Sequence, residues 1–307
     1  MIENIYQKIE EQIAAGLYPG ASLAFFSNGK WQEAYFGESE DGVATVPGLT
    51  YDVASVSKVL GVGTVLIKLI QDGGLELDQT LQFYYPAFQD PTVTIRQLVT
   101  HTTGIDPYIP GRDELNFAGL KAAILSITVT DDKTFHYTDI NLILLGFLLE
   151  EILQEELETI LQTRVFDFWG MTETSFGPVA DAVPTVKGIP AGLVHDPKAK
   201  VLGTHCGSAG LFSTIKDLET FLDHYLTDDF AADLTTNLSR SKPRSIVWNI
   251  EKHDWLDHTG YTGPFIMVNR KAQKAAIFLT NRTYHYDNRP LWIAKRRELR
   301  DCIEENL

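Results

Sequence analysis

Ser55 and Lys58 stand three residues apart in the run Ser55-Val56-Ser57-Lys58. On a helix, an i, i+3 pair shares one face, with Cβ atoms about 5–6 Å apart. A serine hydroxyl is a weak nucleophile until a neighbouring base takes its proton. A lysine set in an apolar wall loses part of its preference for charge, which would let its amine accept or relay a proton near neutral pH. The first turn of a helix also presents unpaired N–H groups that stabilise a developing oxyanion. The chemistry these features allow is acyl transfer through the serine. Alone the motif is weak, because a capping serine followed by a solvated lysine fits it equally well.

Two distant segments add to it. Tyr137-Thr138-Asp139 precedes a strongly apolar run. A phenol there could share a proton with Lys58 and act as general base, or as general acid to a leaving group; a tyrosine packed where a helix begins is the plainer reading. His258-Thr259-Gly260 opens a stretch that ends in Thr262-Gly263, ahead of a strand-like run. Small residues there would let a substrate lie along a strand edge, and the backbone N–H of Tyr261 is placed to be a second oxyanion donor. An ordinary glycine-rich turn is the alternative.

The elements that must hold these groups follow from periodicity. Ile5, Ile9 and Ile13 mark one face of a helix over residues 2–15 that Gly16 stops. Strand-like runs at 21–27 and 30–36 are joined by Asn28-Gly29, which suits a two-residue hairpin turn. Further short strands are expected at 245–250, 264–269 and 274–280, with a closing helix over 291–305. Between them the pattern is helical: residues 57–71 up to Asp72-Gly73-Gly74, residues 139–153 capped by Thr138 or Asp139, and residues 217–225 capped by Thr214. An α+β fold is expected, with one antiparallel sheet built from both termini and flanked by helices. Residues 1–51 and 241–307 would form the sheet region and 52–240 an inserted, mainly helical region, in a single catalytic unit with the cleft between them.

Composition narrows the function classes. The 307 residues carry 41 acidic and 26 basic side chains, a net charge of −15. That excess repels phosphate backbones and anionic bilayers, so neither nucleic acid nor membrane is an expected partner. The basic run Lys295-Arg296-Arg297 is followed by Glu298, Asp301, Glu304 and Glu305, and reads as a solvated helix face. Two cysteines, Cys206 and Cys302, are too few for a disulfide framework or a four-ligand zinc site. The histidines at 101, 195, 205, 253 and 258 show no metal-ligand spacing, and no G-x-G-x-x-G follows a strand, so no metal or cofactor is expected. His101 reads as a structural hydrogen-bonding residue. The first fifteen residues lack a signal-peptide pattern, and the apolar run 140–149 is too short for a bilayer, which needs about 20 residues. A cytoplasmic location is the expectation. Oligomeric state is left open.

The three segments, in this order, resemble the serine β-lactamase and penicillin-binding-protein superfamily, above all class C β-lactamases, DD-carboxypeptidases and related carboxylesterases. Those proteins carry S-x-x-K, then a Tyr-x-Asn-type element, then Lys-Thr-Gly or His-Thr-Gly. The stretches Gln97-Leu98-Val99-Thr100-His101-Thr102-Thr103-Gly104 and Gly207-Ser208-Ala209-Gly210-Leu211-Phe212-Ser213 are similar to members of the same group. The resemblance implies Ser55 as acylated nucleophile, Lys58 as proton-relay partner and Tyr137 as general base. It implies an oxyanion hole from the backbone amides of Ser55 and Tyr261, and a substrate pocket containing Asp139, His258, Thr259 and Gly260.

Two positions depart from the pattern. Asp139 stands where an amide asparagine is usual, and a carboxylate cannot donate an N–H to a substrate acyl-amide oxygen. His258 replaces the lysine favoured by β-lactamases, so an anchor for a substrate carboxylate would depend on histidine protonation. No glutamate is positioned as a deacylating base of the class A kind. The expected activity is therefore that of a carboxylesterase first and a D-amino-acid peptidase or amidase second, with weak or no β-lactam hydrolysis. A catalytically silent penicillin-binding-like protein is the alternative, motivated by Asp139.

Overall fold

The computed structural model describes residues 2–307. Strands β1 (Gly20–Ser27) and β2 (Lys30–Glu40) pair antiparallel with Ser27 opposite Lys30. Asn28 and Gly29 are thus the two turn residues, at φ +52° and +75°, the positive values such a hairpin needs. β3 (Val43–Ala44) extends this edge. The chain then leaves the sheet through β4 (Tyr51–Asp52), β5 (Ser175–Phe176) and β6 (Leu211–Ser213), a separate small sheet ordered β4-β6-β5. It returns as β7 (Asn249–Ile250), β8 (Leu256–Thr259), β9 (Phe265–Asn269) and β10 (Lys274–Leu279). The main sheet is antiparallel, ordered β3-β2-β1-β10-β9-β8-β7, and Ala24 pairs with Ile277 where the two ends of the chain meet.

Alternation along the strands divides their side chains between two cores. Leu23, Phe25, Phe265 and Phe278 pack beneath helices Ile2–Ala14 and Arg289–Asn306, against Ile5, Ile9, Trp292, Leu299 and Ile303. Ala24, Ile266, Val268 and Ile277 face the larger helical core, which contains helix Ile140–Leu153, buried from Ile140 to Leu149. The class is α+β.

Several elements differ from the sequence reading. The strand expected over 245–250 shrinks to Asn249–Ile250, because Val247 takes φ +68° and turns the chain. Strand β8 was not anticipated: Asp257 and His258 are buried within it and break the apolar pattern. The helix expected over 57–71 is three geometries in series. A tight turn Ala54–Val56 leads into a widened i→i+5 turn at Val59–Gly63, and only Thr64–Gln71 is regular α-helix. Thr64 Oγ1 donates to the Val59 carbonyl at 2.8 Å, steadying the widened turn. Residues Ala54–Gln71, not 140–149, form the stretch nearest a bilayer span in length and hydropathy (18 residues, mean hydropathy 1.4), yet 72% of it is buried in the protein's own core. Helix Ile215–Thr227 is capped as expected, with Thr214 Oγ1 accepting from the Asp217 N–H.

Candidate active site

Strand β4 delivers the chain to Ser55. Ala54 is held at φ +47°, a left-handed value costly for a residue with a Cβ. The buried Asp52 carboxylate fixes this turn by accepting the Ala54 and His195 N–H groups, each at 2.8 Å. Burial raises the Asp52 carboxyl to about 6, against those two hydrogen bonds. From the other side β8 closes on the turn through Gly260. A Cβ on Gly260 would lie 2.7 Å from the Val53 carbonyl oxygen and 3.2 Å from the Ala54 Cβ, so only glycine permits this approach.

Lys58 is fully buried, and its ammonium uses three donors. It donates to Ser55 Oγ at 2.7 Å, to Asp139 Oδ1 at 2.8 Å and to the Ser208 carbonyl at 2.8 Å. The Ser208 contact depends on close backbone approach: a Cβ on neighbouring Gly207 would lie 2.2 Å from the Leu142 carbonyl oxygen. The second Asp139 oxygen pairs with Lys198 Nζ at 2.9 Å. Asp139 occupies the N-cap position of helix Ile140–Leu153, but its carboxylate serves the two lysines, and Thr138 Oγ1 accepts from the Ile140 N–H at 3.2 Å instead.

Tyr137 lies with its ring centroid 5.2 Å from Lys58 Nζ and 38% of its surface exposed to the cleft. Its ring leans on that of His101 at 4.6 Å. His101 Nδ1 accepts from Asn141 Nδ2 at 3.0 Å, which ties the imidazole to the helix behind Tyr137 and gives it the structural part expected of it. His258, Thr259, Gly260 and Tyr261 line the same cleft of about 880 Å³ as Ser55, Tyr137 and Asp139. The candidate nucleophile, tyrosine, Asp139 and the 258–261 segment thus share one cleft, with Lys58 buried directly behind Ser55.

The electrostatics bear on two expectations. Burial alone would push Lys58 down, as anticipated, but the Asp139 carboxylate and the Tyr137 phenol outweigh it and hold the amine well above its ordinary range. The neighbours of Lys58 thus favour its ammonium form. Asp139 is opposed by burial, yet Lys58 and Lys198 hold its carboxyl far below the usual range. His258 is pushed well below its ordinary value, first by burial and then by Lys58, Arg244 and Arg296. It is a neutral imidazole, so it does not supply the cationic anchor that protonation would have given.

Three cleft residues escaped the sequence reading. Lys198, on helix Pro197–Leu202, sits directly on Asp139; only the Asp196-Pro197 helix start before it was legible. Arg244 and Arg296 also line the cleft, and Arg296 corrects the reading of residues 295–297 as a wholly solvated face.

An antiparallel sheet with flanking helices, and a serine–lysine pair at its seam with a helical region, is the architecture of β-lactamase and transpeptidase-type serine hydrolases. The chain belongs to the beta-lactamase family, whose family model matches residues 5–300. Protein flp of Staphylococcus aureus (strain NCTC 8325 / PS 47) is 27% identical over 184 residues, covering 55% of this chain and 37% of that protein. The chain thus matches well under two thirds of that relative's length. Among solved structures, "EstCE1, a hydrolase with promiscuous acyltransferase activity" is similar with a TM-score of 0.80 at 16% identity, over 98% of both chains. A beta-lactamase/D-alanine carboxypeptidase from Pseudomonas syringae gives 0.81 at 16% identity, over 99% of this chain and 98% of the other. At such identities the likeness shows the fold alone.

Proposed function

We propose that the protein hydrolyses small carboxylic esters, and more slowly D-amino-acid amides, through an acyl-enzyme on Ser55. The observation that carries this reading is the Lys58 ammonium donating at once to Ser55 Oγ and to Asp139. A lysine so paired polarises the serine oxygen but cannot take its proton, which leaves Tyr137 as the base. Tyr137, entering the step as a phenolate held beside the Lys58 ammonium, accepts the Ser55 proton and becomes the phenol while Oγ bonds to the substrate carbonyl carbon. The carbonyl oxygen becomes an oxyanion received by the backbone N–H groups of Ser55 and Tyr261. Tyr137 then returns the proton to the departing oxygen or nitrogen as its bond to carbon breaks. Water repeats the sequence on the acyl-enzyme, releasing the acid and restoring Ser55.

Esters rank above amides because their leaving oxygen needs less help from a proton donor. β-Lactams rank third: Asp139 offers no amide N–H, and neutral His258 offers no fixed charge. The description of EstCE1 as a hydrolase with acyltransferase activity supports acyl transfer as the chemistry of this fold. The silent alternative, a binding protein that kept the fold, draws on the same Asp139, and a slow acyl-enzyme that never turns over would look similar to it in a binding assay.

A fluorophosphonate probe followed by mass spectrometric mapping tests the nucleophile, and a panel of nitrophenyl esters, D-alanyl amides and nitrocefin tests turnover. The adduct is expected on Ser55, with ester turnover that Ser55→Ala abolishes. Label on another serine would sink the proposal, and equal background turnover in both proteins would sink it in favour of the silent alternative.

A further inference from the structure

The cleft departs from the charge of the chain around it. The protein as a whole carries 41 acidic and 26 basic residues, yet nine lysines and arginines line the cleft against three carboxylates. Most of these cations have protein partners. Lys198 is held by Asp139, Arg297 and Arg300 by Glu251, and Arg282 by Asp287. Arg244 and Arg296 are different. Neither has a carboxylate at ion-pair distance among the described residues, and in each the Nε has no hydrogen-bond partner.

Both guanidiniums are positioned by neutral acceptors. Arg244 is 1% exposed and donates to Asn249 Oδ1 and to the Val247 carbonyl. Arg296 donates to the Gly260 carbonyl at 3.4 Å. Asn249 is the cross-strand partner of Asp257 on β8, and Gly260 directly follows that strand. The two charges are therefore tied to points on either side of His258 along one strand. The His258 ring, buried between these points, leaves both nitrogens without a hydrogen-bond partner among the described residues. Lys242, with no ion pair among the described residues, adds a third cation near Arg244, over the same Phe135 ring, at 5.0 Å for its Nζ.

Burying an unpaired guanidinium opposes folding, and the buried Arg244 together with the half-buried Arg296 in one cleft of an acidic protein call for a counter-charge from outside the chain. We infer that the cleft takes a substrate with two anionic groups, carboxylates in the first instance, one seated on Arg244 beside Lys242 and the other on Arg296, with His258 hydrogen-bonding the segment between them. The inference rests on the hydrolase reading only for the word substrate; the anion-binding site stands on its own geometry. Fixed cations in a low-dielectric cleft also draw an anionic ligand in against the protein's overall negative field.

Calorimetry at low ionic strength tests this with the intact protein and simple probes. α,ω-Dicarboxylates from glutarate to suberate are each compared with the monocarboxylate of the same chain length, on wild type and on Ser55→Ala. The best dicarboxylate is expected to bind about tenfold or more tightly than its monocarboxylate in both proteins. Added salt should shrink that preference, and Arg244→Gln and Arg296→Gln should each collapse it. Should Arg244→Gln fail to fold by near-ultraviolet circular dichroism, Arg244→Lys, expected to keep most of the preference, and Lys242→Gln, expected to weaken it, replace that arm. Equal binding of mono- and dicarboxylates by wild type, or a preference untouched by the substitutions, overturns the inference. Dicarboxylate preference without ester turnover would overturn the hydrolase reading alone, whereas Ser55-dependent turnover without that preference would overturn this inference alone.

Discussion

The carboxylate of Asp139 stands 2.8 Å from the ammonium of Lys58, and this pairing decides which group in the site can move a proton. An unpaired lysine buried beside a serine would be driven toward its neutral form and could serve as base. Here the counter-charge is built in, and Lys198 on the other carboxylate oxygen keeps Asp139 ionised in turn. The site holds a cation–anion–cation row with the Tyr137 ring beside it, and in the proposed reading Tyr137 carries the proton.

Replacing Asp139 by asparagine tests what the row is for. The change removes the acceptor for two ammonium groups and introduces the amide N–H that a substrate acyl-amide oxygen would use. Because the carboxylate retains some solvent contact, the loss of stability is expected near 2 kcal/mol by urea unfolding. The ratio of nitrocefin to nitrophenyl-ester kcat/KM is expected to rise about tenfold. A ratio that stays flat or falls would mean the carboxylate does not set the choice between ester and β-lactam.

Tyr137→Phe isolates the proton carrier. The phenol is partly exposed and its ring support from His101 is kept by phenylalanine, so the melting temperature should hardly move. If Tyr137 is the base, kcat should fall by roughly 10²–10⁴, the usual worth of general acid–base catalysis. Retention of most of kcat would return the role to Lys58 or to water.

The residues legible in sequence were those whose chemistry is written locally. Ser55 and Lys58 lie one helical turn apart, Tyr137 abuts an apolar run, and Asn28-Gly29 announces a hairpin. The small sheet β4-β6-β5 was not legible, because strands of two or three residues carry no period. Charge state was illegible for another reason: whether burial frees a lysine depends on which carboxylate lies 81 residues away along the chain. Arg296 shows a signal read too coarsely. The run from 295 to 305 looks solvated by composition, but Arg296 follows the buried Trp292 by four residues and precedes buried Arg300 by four. That spacing puts it on the inward stripe of the helix.

Acid should unfold the protein earlier than its carboxylates alone would require. His101 and His258 are both held well below their ordinary value of 6.5, chiefly by burial. His258 also faces Lys58, Arg244 and Arg296, and His101 faces Arg244, Lys58, His258 and Asp139. Below that ordinary value the unfolded chain takes up protons the folded one refuses, so stability falls with pH at about 1.4 kcal/mol per unit for each histidine. Asp52 works the other way. Its folded value of about 6 lies above the ordinary 3.8, so between the two the folded state binds the extra proton and regains the share of one histidine. The histidine pair wins, with a net loss of about 2 kcal/mol expected between pH 6.5 and roughly pH 5. Urea unfolding across that range measures it, and His258→Asn should remove about half of the two histidines' combined contribution. A flat profile would show that these imidazoles titrate normally in the folded protein.

Gly260→Ala asks whether the nucleophile turn is held in place by β8. The backbone of Gly260 lies outside the positive-φ region, so alanine strains nothing locally. The cost is contact, because the new methyl would meet Pro264 Cγ and the Val53 carbonyl oxygen, each at 2.7 Å, and the Ala54 Cβ at 3.2 Å, the last two on the turn. Those two atoms belong to the residues that set the Ser55 backbone, so either the turn or the strand must shift. Overpacking of this kind costs about 1–3 kcal/mol in stability. Displacing an oxyanion donor or the nucleophile costs about 10²–10³ in rate, so kcat should fall much further than stability implies, while the fluorophosphonate adduct on Ser55 forms more slowly. Near-wild-type kcat in a folded Gly260→Ala protein would show that the closeness of β8 to the serine turn is a matter of packing and not of catalysis.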